Sequence, residues 1–225
     1  MTIFWCRIDP WLATPHVAEY FCEREGILTQ DFFRIEELVP HAAGRFLLRM
    51  GFRQYRPDCG LPPVHQIPGG KPYFLGGKPA FSISHAGAVA VCVISEYEIG
   101  IDVEQVTDVE PSLLSILRPE ELACFRRSPK SEQARIFHRL WTQKESLIKA
   151  RGGVLADIFD QESVITPDLL WKDCLDGFLL RSLSFPEAGY ILSVSAKAEE
   201  SAVITRLELP RGIDQLSEDL HWDTA

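Results

Sequence analysis

Positive charge is scarce in this chain. Its 23 Lys and Arg stand against 32 Asp and Glu, a formal charge of −9 over 225 residues. A general nucleic-acid binder carries a basic surface and a membrane-surface protein a polybasic patch; neither is visible, so no nucleic-acid and no membrane partner is expected. No apolar run approaches the roughly 20 residues of a membrane span. The opening Met1-Thr-Ile-Phe-Trp-Cys-Arg-Ile-Asp9 has no charged region ahead of an apolar stretch, so it does not read as a signal peptide, and the cytoplasm is the expected location. None of Cys6, Cys22, Cys59, Cys92, Cys124 and Cys174 forms a Cys-x-x-Cys pair, and no His-x-x-x-His occurs. Zinc and disulfides are therefore not indicated, and free, mostly buried thiols are expected.

What is present is an ordinary globular composition, 46% apolar and 24% charged, long enough for one large domain or two small lobes. Thr2–Ile8 is rich in β-formers and stops at Asp9-Pro10. Residues 31–53 carry a helical pattern, Phe46, Leu47 and Met50 forming its apolar face, with Pro40 breaking or restarting it. Residues 57–79 are dense in Pro and Gly and read as loop. Strands are expected at 81–84, 88–95 and 99–104, with hairpin turns at Gly87 and at 96–98. The character changes at 107–111. A helix from Ser112, restarting at Pro119, and a second over 132–150 ending at Gly152-Gly153 follow. Further strands are expected at 163–166, 178–184, 190–196 and 203–209, then a polar tail from Asp214. Strand, helix and sheet thus occur twice. The expected class is α+β, with two similar α/β lobes, 1–105 and 106–225, and a shared cleft.

The most informative stretch is Phe81-Ser-Ile-Ser-His-Ala-Gly87 followed by Gly100-Ile-Asp-Val-Glu104. On a strand, side chains alternate faces. Ile101 and Val103 then enter a core, while Asp102 and Glu104 stand side by side on the other face. Folding alone does not ask for adjacent carboxylates. A hard cation explains them, since Mg²⁺ takes one or two carboxylates plus phosphate oxygens. A solvated acidic strand edge explains them too. On the helix around Trp141, Phe137, Leu140, Trp141 and Ile148 form an apolar arc containing Lys144, whose stem could snorkel over the core. Glu145 lies just beyond the arc, with Lys149 one turn further, either a surface pair or a site at the rim of a buried face. Together, Asp102, Glu104 and Glu145 could form a three-carboxylate site, with Lys149 beside it. Ser84, His85 and the Gly70-Lys71 loop would then face phosphate oxygens. That is the equipment of Mg²⁺-dependent phosphate transfer.

Gly70-Lys71-Pro72, Phe81-Ser-Ile-Ser-His85, Gly100-Ile-Asp-Val-Glu104 and Trp141-Thr-Gln-Lys-Glu145-Ser-Leu-Ile-Lys149 resemble, in order and approximate spacing, the 4′-phosphopantetheinyl transferases. The similarity is to the larger, pseudo-dimeric type that activates peptide and polyketide synthases, and it covers roughly residues 70–155. The resemblance implies transfer of the phosphopantetheine arm of coenzyme A to a serine of an acyl or peptidyl carrier protein, releasing adenosine 3′,5′-bisphosphate. It implies Mg²⁺, or Mn²⁺, on Asp102, Glu104 and Glu145, with Glu145 also accepting the serine proton. Lys149 would neutralise phosphate charge, and Lys71, Ser84 and His85 would contact coenzyme A. The spacing to Phe81 selects Lys71 over Lys78. Trp141 would be packing, and a monomer would suffice. Two features depart from the family pattern. Its N-terminal basic cluster is replaced by Cys22-Glu-Arg-Glu25, Phe32-Phe-Arg-Ile35 and Pro40-His41, leaving Arg34, Arg45 or Arg49 as substitutes. Its Gly-x-Gly-Leu reads Gly152-Gly-Val-Leu155. The alternatives are another Mg²⁺-dependent phosphate-transfer enzyme or a non-catalytic homologue that binds coenzyme A or a carrier.

Overall fold

A computed structural model of the protein describes residues 1–26, 38–66, 70–159, 161–199 and 201–209. In order these form β1 (Thr2–Arg7), α1 (Pro15–Arg24), α2 (Val39–Tyr55), β2 (Val64–His65), β3 (Tyr73–Phe74), β4 (Ala80–Ala86), β5 (Val89–Ser95) and β6 (Ile99–Gln105). Then come α3 (Pro119–Arg127), α4 (Lys130–Arg151), β7 (Cys174–Leu175), β8 (Phe178–Leu183), β9 (Tyr190–Ala196) and β10 (Val203–Arg206). The class is mixed α+β. One four-stranded sheet has the order β10-β1-β5-β4, and a second the order β6-β9-β8-β7.

The apolar strands are sorted by their period of two. In β5, Ala90, Cys92 and Ile94 face the cluster under α1 and α2, while Val89, Val91 and Val93 face the other way. There they meet Ile99, Ile101 and Val103 of β6 and Leu192 and Val194 of β9. The two sheets therefore pack face to face through β-branched side chains, with α2 outside the first and α4 outside the second. A strand buried on both faces reads as an unbroken apolar run, which is what Val89–Ile94 is.

The same connection is made twice. β1 leads through α2 to the hairpin β4-β5, and β5 returns antiparallel to β1, with Thr2 opposite Ile94. β6 leads through α4 to the hairpin β8-β9, and β9 returns antiparallel to β6, with Ile99 opposite Ala196. Among the described residues β6 pairs within the second sheet, and β10 returns to lie parallel to β1 in the first.

Several expectations are corrected. Residues 96–98 are not a hairpin turn: β5 and β6 belong to different sheets, so this turn carries the chain between layers. Residues 163–166 form only a bridge, Ile165 to Trp171, because the Val164 N–H donates to Glu121 Oε1 (3.0 Å) rather than to a strand. Residues 57–79 contain the short β2-β3 pair, fixed by Phe74, whose ring meets Phe52 at 5.5 Å and Phe81 at 4.5 Å. Pro40 lies in the first turn of α2, where its missing N–H costs nothing; residues 31–37 and the tail from Asp214 lie outside the described residues. α1, not anticipated, buries Val17, Ala18, Phe21 and Cys22 after Pro15 in its first turn. All six cysteines are free, three of them buried. No helix among the described residues is long and apolar enough to cross a membrane.

Candidate active site

The site forms where α4 lies across β6. Gly100 makes the crossing possible: a Cβ there would overlap the Ser146 carbonyl oxygen and the Ala150 nitrogen. Hydroxyls then set the register of the helix on the sheet. Thr142 Oγ1 meets Ser193 Oγ at 2.8 Å, and Ser146 Oγ meets Ser195 Oγ at 2.8 Å, all four buried. Lys144 does not snorkel. It is fully buried, and its Nζ donates to Glu121 Oε2 (2.9 Å) and to the Ile116 carbonyl (3.2 Å). Glu121 also accepts from the backbone N–H groups of Arg118 and Val164, so this carboxylate ties α3, α4 and the 163–165 segment together.

With α4 held in that register, Glu145 and Lys149 stand over Asp102. Lys149 Nζ donates to Asp102 Oδ1 at 2.6 Å and lies 3.4 Å from Glu145 Oε2. From the first sheet, Ser84 Oγ donates to the same Asp102 Oδ1 at 2.7 Å. Asp102 is 1% exposed, and its Oδ2 is buried with no hydrogen-bond partner. One oxygen from each of Asp102, Glu104 and Glu145 lies within 4.8 Å of the others.

Three carboxylates and one ammonium leave uncompensated negative charge. Burial, then the neighbouring carboxylates, pushes Glu104 and Glu145 up to about 7. Burial would lower Lys149, but Asp102 and Glu145 outweigh it and hold the ammonium above its ordinary value. The orphaned Asp102 oxygen, the all-oxygen donor set and the excess negative charge fit a hard divalent cation. Trp141 packs against the second core, its ring stacked with that of Phe137 at 6.2 Å.

All seven residues singled out from sequence line one cavity of about 580 Å³: Lys71, Ser84, His85, Asp102, Glu104, Glu145 and Lys149. Lys71 Nζ donates to the Ile99 carbonyl at 2.8 Å, and burial lowers its pKa to about 8. His85 is lowered to about 4, by burial first, then by His41 and Lys149. Of the substitutes for the missing basic cluster, Arg45 lines the cavity, Arg34 lies outside the described residues, and Arg49 is 9% exposed and tied to Glu25 at 2.7 Å. His41 also lines the cavity. Its only sequence signal was its place where a basic residue was expected. Val154, at the altered glycine position, forms a bridge with Gly70, and its φ is not positive, so this position does not require glycine.

A model of the 4′-phosphopantetheinyl transferase superfamily matches residues 98–173, the span holding β6, α3 and α4. The chain is 34% identical over 107 residues to the 4′-phosphopantetheinyl transferase HetI of a Nostoc species, covering 44% of this chain and 45% of HetI. It is 33% identical over 137 residues to AcpT of Salmonella typhimurium, covering 59% of this chain and 68% of AcpT. Against Sfp of Bacillus subtilis it is 33% identical over 85 residues, 37% of this chain and 38% of Sfp. The similarity thus spans less than half the length of HetI and of Sfp, but more than two thirds of AcpT. That coverage of AcpT, with the matched span carrying Asp102, Glu104, Glu145 and Lys149, means that the chain belongs to the 4′-phosphopantetheinyl transferase superfamily.

Proposed function

We propose that this protein transfers the 4′-phosphopantetheine arm of coenzyme A to a serine of an apo acyl or peptidyl carrier protein. The serine oxygen bonds to the phosphorus of the phosphopantetheine group, the pyrophosphate bridge breaks, and adenosine 3′,5′-bisphosphate leaves. The observation that carries this reading is the cluster of Asp102, Glu104 and Glu145 around an unpartnered buried oxygen, with Lys149 against it. The three carboxylates would hold Mg²⁺ or Mn²⁺, which supplies charge stabilisation for the pyrophosphate when bound.

The remaining work falls to side chains. Lys149 offers a held positive charge as negative charge shifts to the leaving oxygen. Glu145, with its affinity for protons raised toward neutrality, suits acceptance of the serine proton, directly or through water. Lys71, Ser84 and His85 line the same cavity and would contact coenzyme A. The repeated strand–helix–hairpin connection supports two lobes in one chain, with the cavity in the cleft between them. Such a chain would work as a monomer. Free cysteines among the described residues support a reducing, cytoplasmic setting. The net charge of −9 supports no nucleic-acid partner.

The test is to incubate the protein with coenzyme A, Mg²⁺ and a panel of apo carriers from fatty-acid, polyketide and peptide synthesis. The carriers' masses are then read. A gain of one phosphopantetheine on at least one carrier is expected; no gain on any would refute the transfer.

A further inference from the structure

The two sheets meet along one seam, which side chains close where no strand ladder does. Among the described residues β4 is an edge strand of the first sheet and β6 an edge strand of the second. A strand edge leaves N–H and C=O groups to be satisfied. Here the Ile101 N–H donates to Ser82 Oγ (3.2 Å) and the Val103 N–H to Ser84 Oγ (3.4 Å). Ser84 Oγ in turn donates to Asp102 Oδ1. The seam thus sets two walls of the cavity against each other, β4 with Ser84 and His85, and β6 with Asp102 and Glu104.

The seam runs on into the turn Gly87-Ala88, which joins β4 to β5. Gly87 has φ +51° and Ala88 has no positive φ, the pattern of a type II′ hairpin turn. Such a turn is closed by the N–H of the residue that follows it, so the Ala88 N–H is left over. That N–H donates to the hydroxyl of Tyr190, on β9, at 3.1 Å. Tyr190 lies opposite Gln105 in the β6–β9 register, and both side chains reach Gly87. A Cβ at Gly87 would overlap Gln105 Oε1 and the Tyr190 hydroxyl. Within the first sheet the Ile8 N–H donates to the Ala88 carbonyl (2.8 Å); the tie to the second sheet runs through Tyr190. The β8–β9 tip is anchored to the first sheet by other contacts too. Phe185 meets Trp5 edge to face at 5.2 Å, and Glu187 pairs with Arg7.

We propose that Tyr190 is a positioning residue for co-substrate binding. Its hydroxyl fixes the β4–β5 turn to the second sheet, and so holds Ser84 and His85 at a set spacing from Asp102 and Glu104. This rests on the transferase reading of the cavity, in which coenzyme A touches the first pair and the cation the second. A ligand that spans both walls binds only when they are correctly spaced. Without the hydroxyl the Ala88 N–H turns to water and the turn is free to part from β9. Coenzyme A then binds the closed fraction alone, and its apparent affinity falls by that fraction. Glu145 and Lys149 are placed separately, by the Thr142–Ser193 and Ser146–Ser195 contacts of α4, so the chemical step changes less than binding.

The experiment compares wild type with Tyr190→Phe, which keeps the ring and its contact with Phe185 at 6.5 Å and removes the hydroxyl alone. Thermal melting checks that the variant folds. Calorimetry with coenzyme A and Mg²⁺, without carrier, is expected to show Kd raised about two- to tenfold, the range of one hydrogen bond. Amide hydrogen exchange read by NMR should show Ala88 exchanging faster in the variant, with the amides at the centre of β5 unchanged. On an apo carrier that the wild type modifies, KM for coenzyme A should rise by a like factor while kcat falls less. A tyrosine that served stability alone would lower the melting temperature and leave Kd, measured well below melting, where it was. An unchanged Kd in the folded variant therefore overturns the positioning role and leaves the transferase reading standing. No binding of coenzyme A by the wild type overturns both.

Discussion

Glu145 and Lys149 sit one helical turn apart, and only their companions separate a site from a surface pair. A surface pair is worth a few tenths of a kcal/mol. Here Lys149 also holds a buried Asp102. Glu145→Gln should therefore lower turnover by at least about a hundredfold, the scale of general-base catalysis, while coenzyme A affinity changes far less. Lys149→Ala should lower both, because its charge acts on the phosphates before and during the reaction. Steady-state rates and direct binding for the two variants decide this; near-normal turnover in Glu145→Gln contradicts the assigned role. A pH effect follows as well. Glu104 and Glu145 hold protons up to about 7 in the folded chain, against an ordinary 4.5. The folded state thus binds more protons between those values. This contribution to stability is fully present below about 4.5 and is lost as pH rises through 7. Mg²⁺ should then raise the melting temperature more at pH 8 than at pH 6, and less so in Glu145→Gln. An equal rise at both pH values would count against titration of these groups.

At the scale of the element, α4 is aimed by groups with no chemistry of their own. Gly100→Ala should push α4 off β6, because the new methyl meets backbone, which cannot rotate aside. Overpacking of this kind costs about 1–3 kcal/mol, and activity should fall further than stability does. Lys144→Met strands a buried Glu121 carboxylate, a change that typically costs about 3–5 kcal/mol. Denaturant unfolding measures both; a surface-like loss in Lys144→Met would contradict the buried pair. These are the features least legible in the sequence. Asp102 and Glu104 could be placed from alternation with Ile101 and Val103, because period two depends on the strand alone. That Lys144 meets Glu121 depends on how α3 packs, and no local pattern encodes it. Likewise, Gly100 looks like any strand glycine until α4 is laid over it. Residues 163–166 have strand-like side chains, but a single buried carboxylate claims the Val164 N–H.

For the whole molecule, the sequence showed the recurrence of strand, helix and sheet but not the exchange between sheets. β6 and β10 choose their partners by the faces they bury, which composition does not reveal. Side-chain patterns cannot distinguish a hairpin at 96–98 from a crossing between layers, since both need only a short turn. The site benefits from the crossing: Ser84, on the first sheet, hydrogen-bonds Asp102, on the second. On the proposal of two lobes in one chain, sedimentation equilibrium should give the mass of one chain with coenzyme A bound, and an obligate dimer would contradict that arrangement. The central claim is that Asp102, Glu104 and Glu145 hold a divalent cation without which the phosphopantetheine arm is not transferred. Mass spectrometry of an apo carrier, incubated with the protein and coenzyme A with Mg²⁺ or with excess chelator, tests it most directly. The account predicts the full mass gain with Mg²⁺ and none in chelator, with recovery on adding Mg²⁺ back; an undiminished gain in chelator would contradict it.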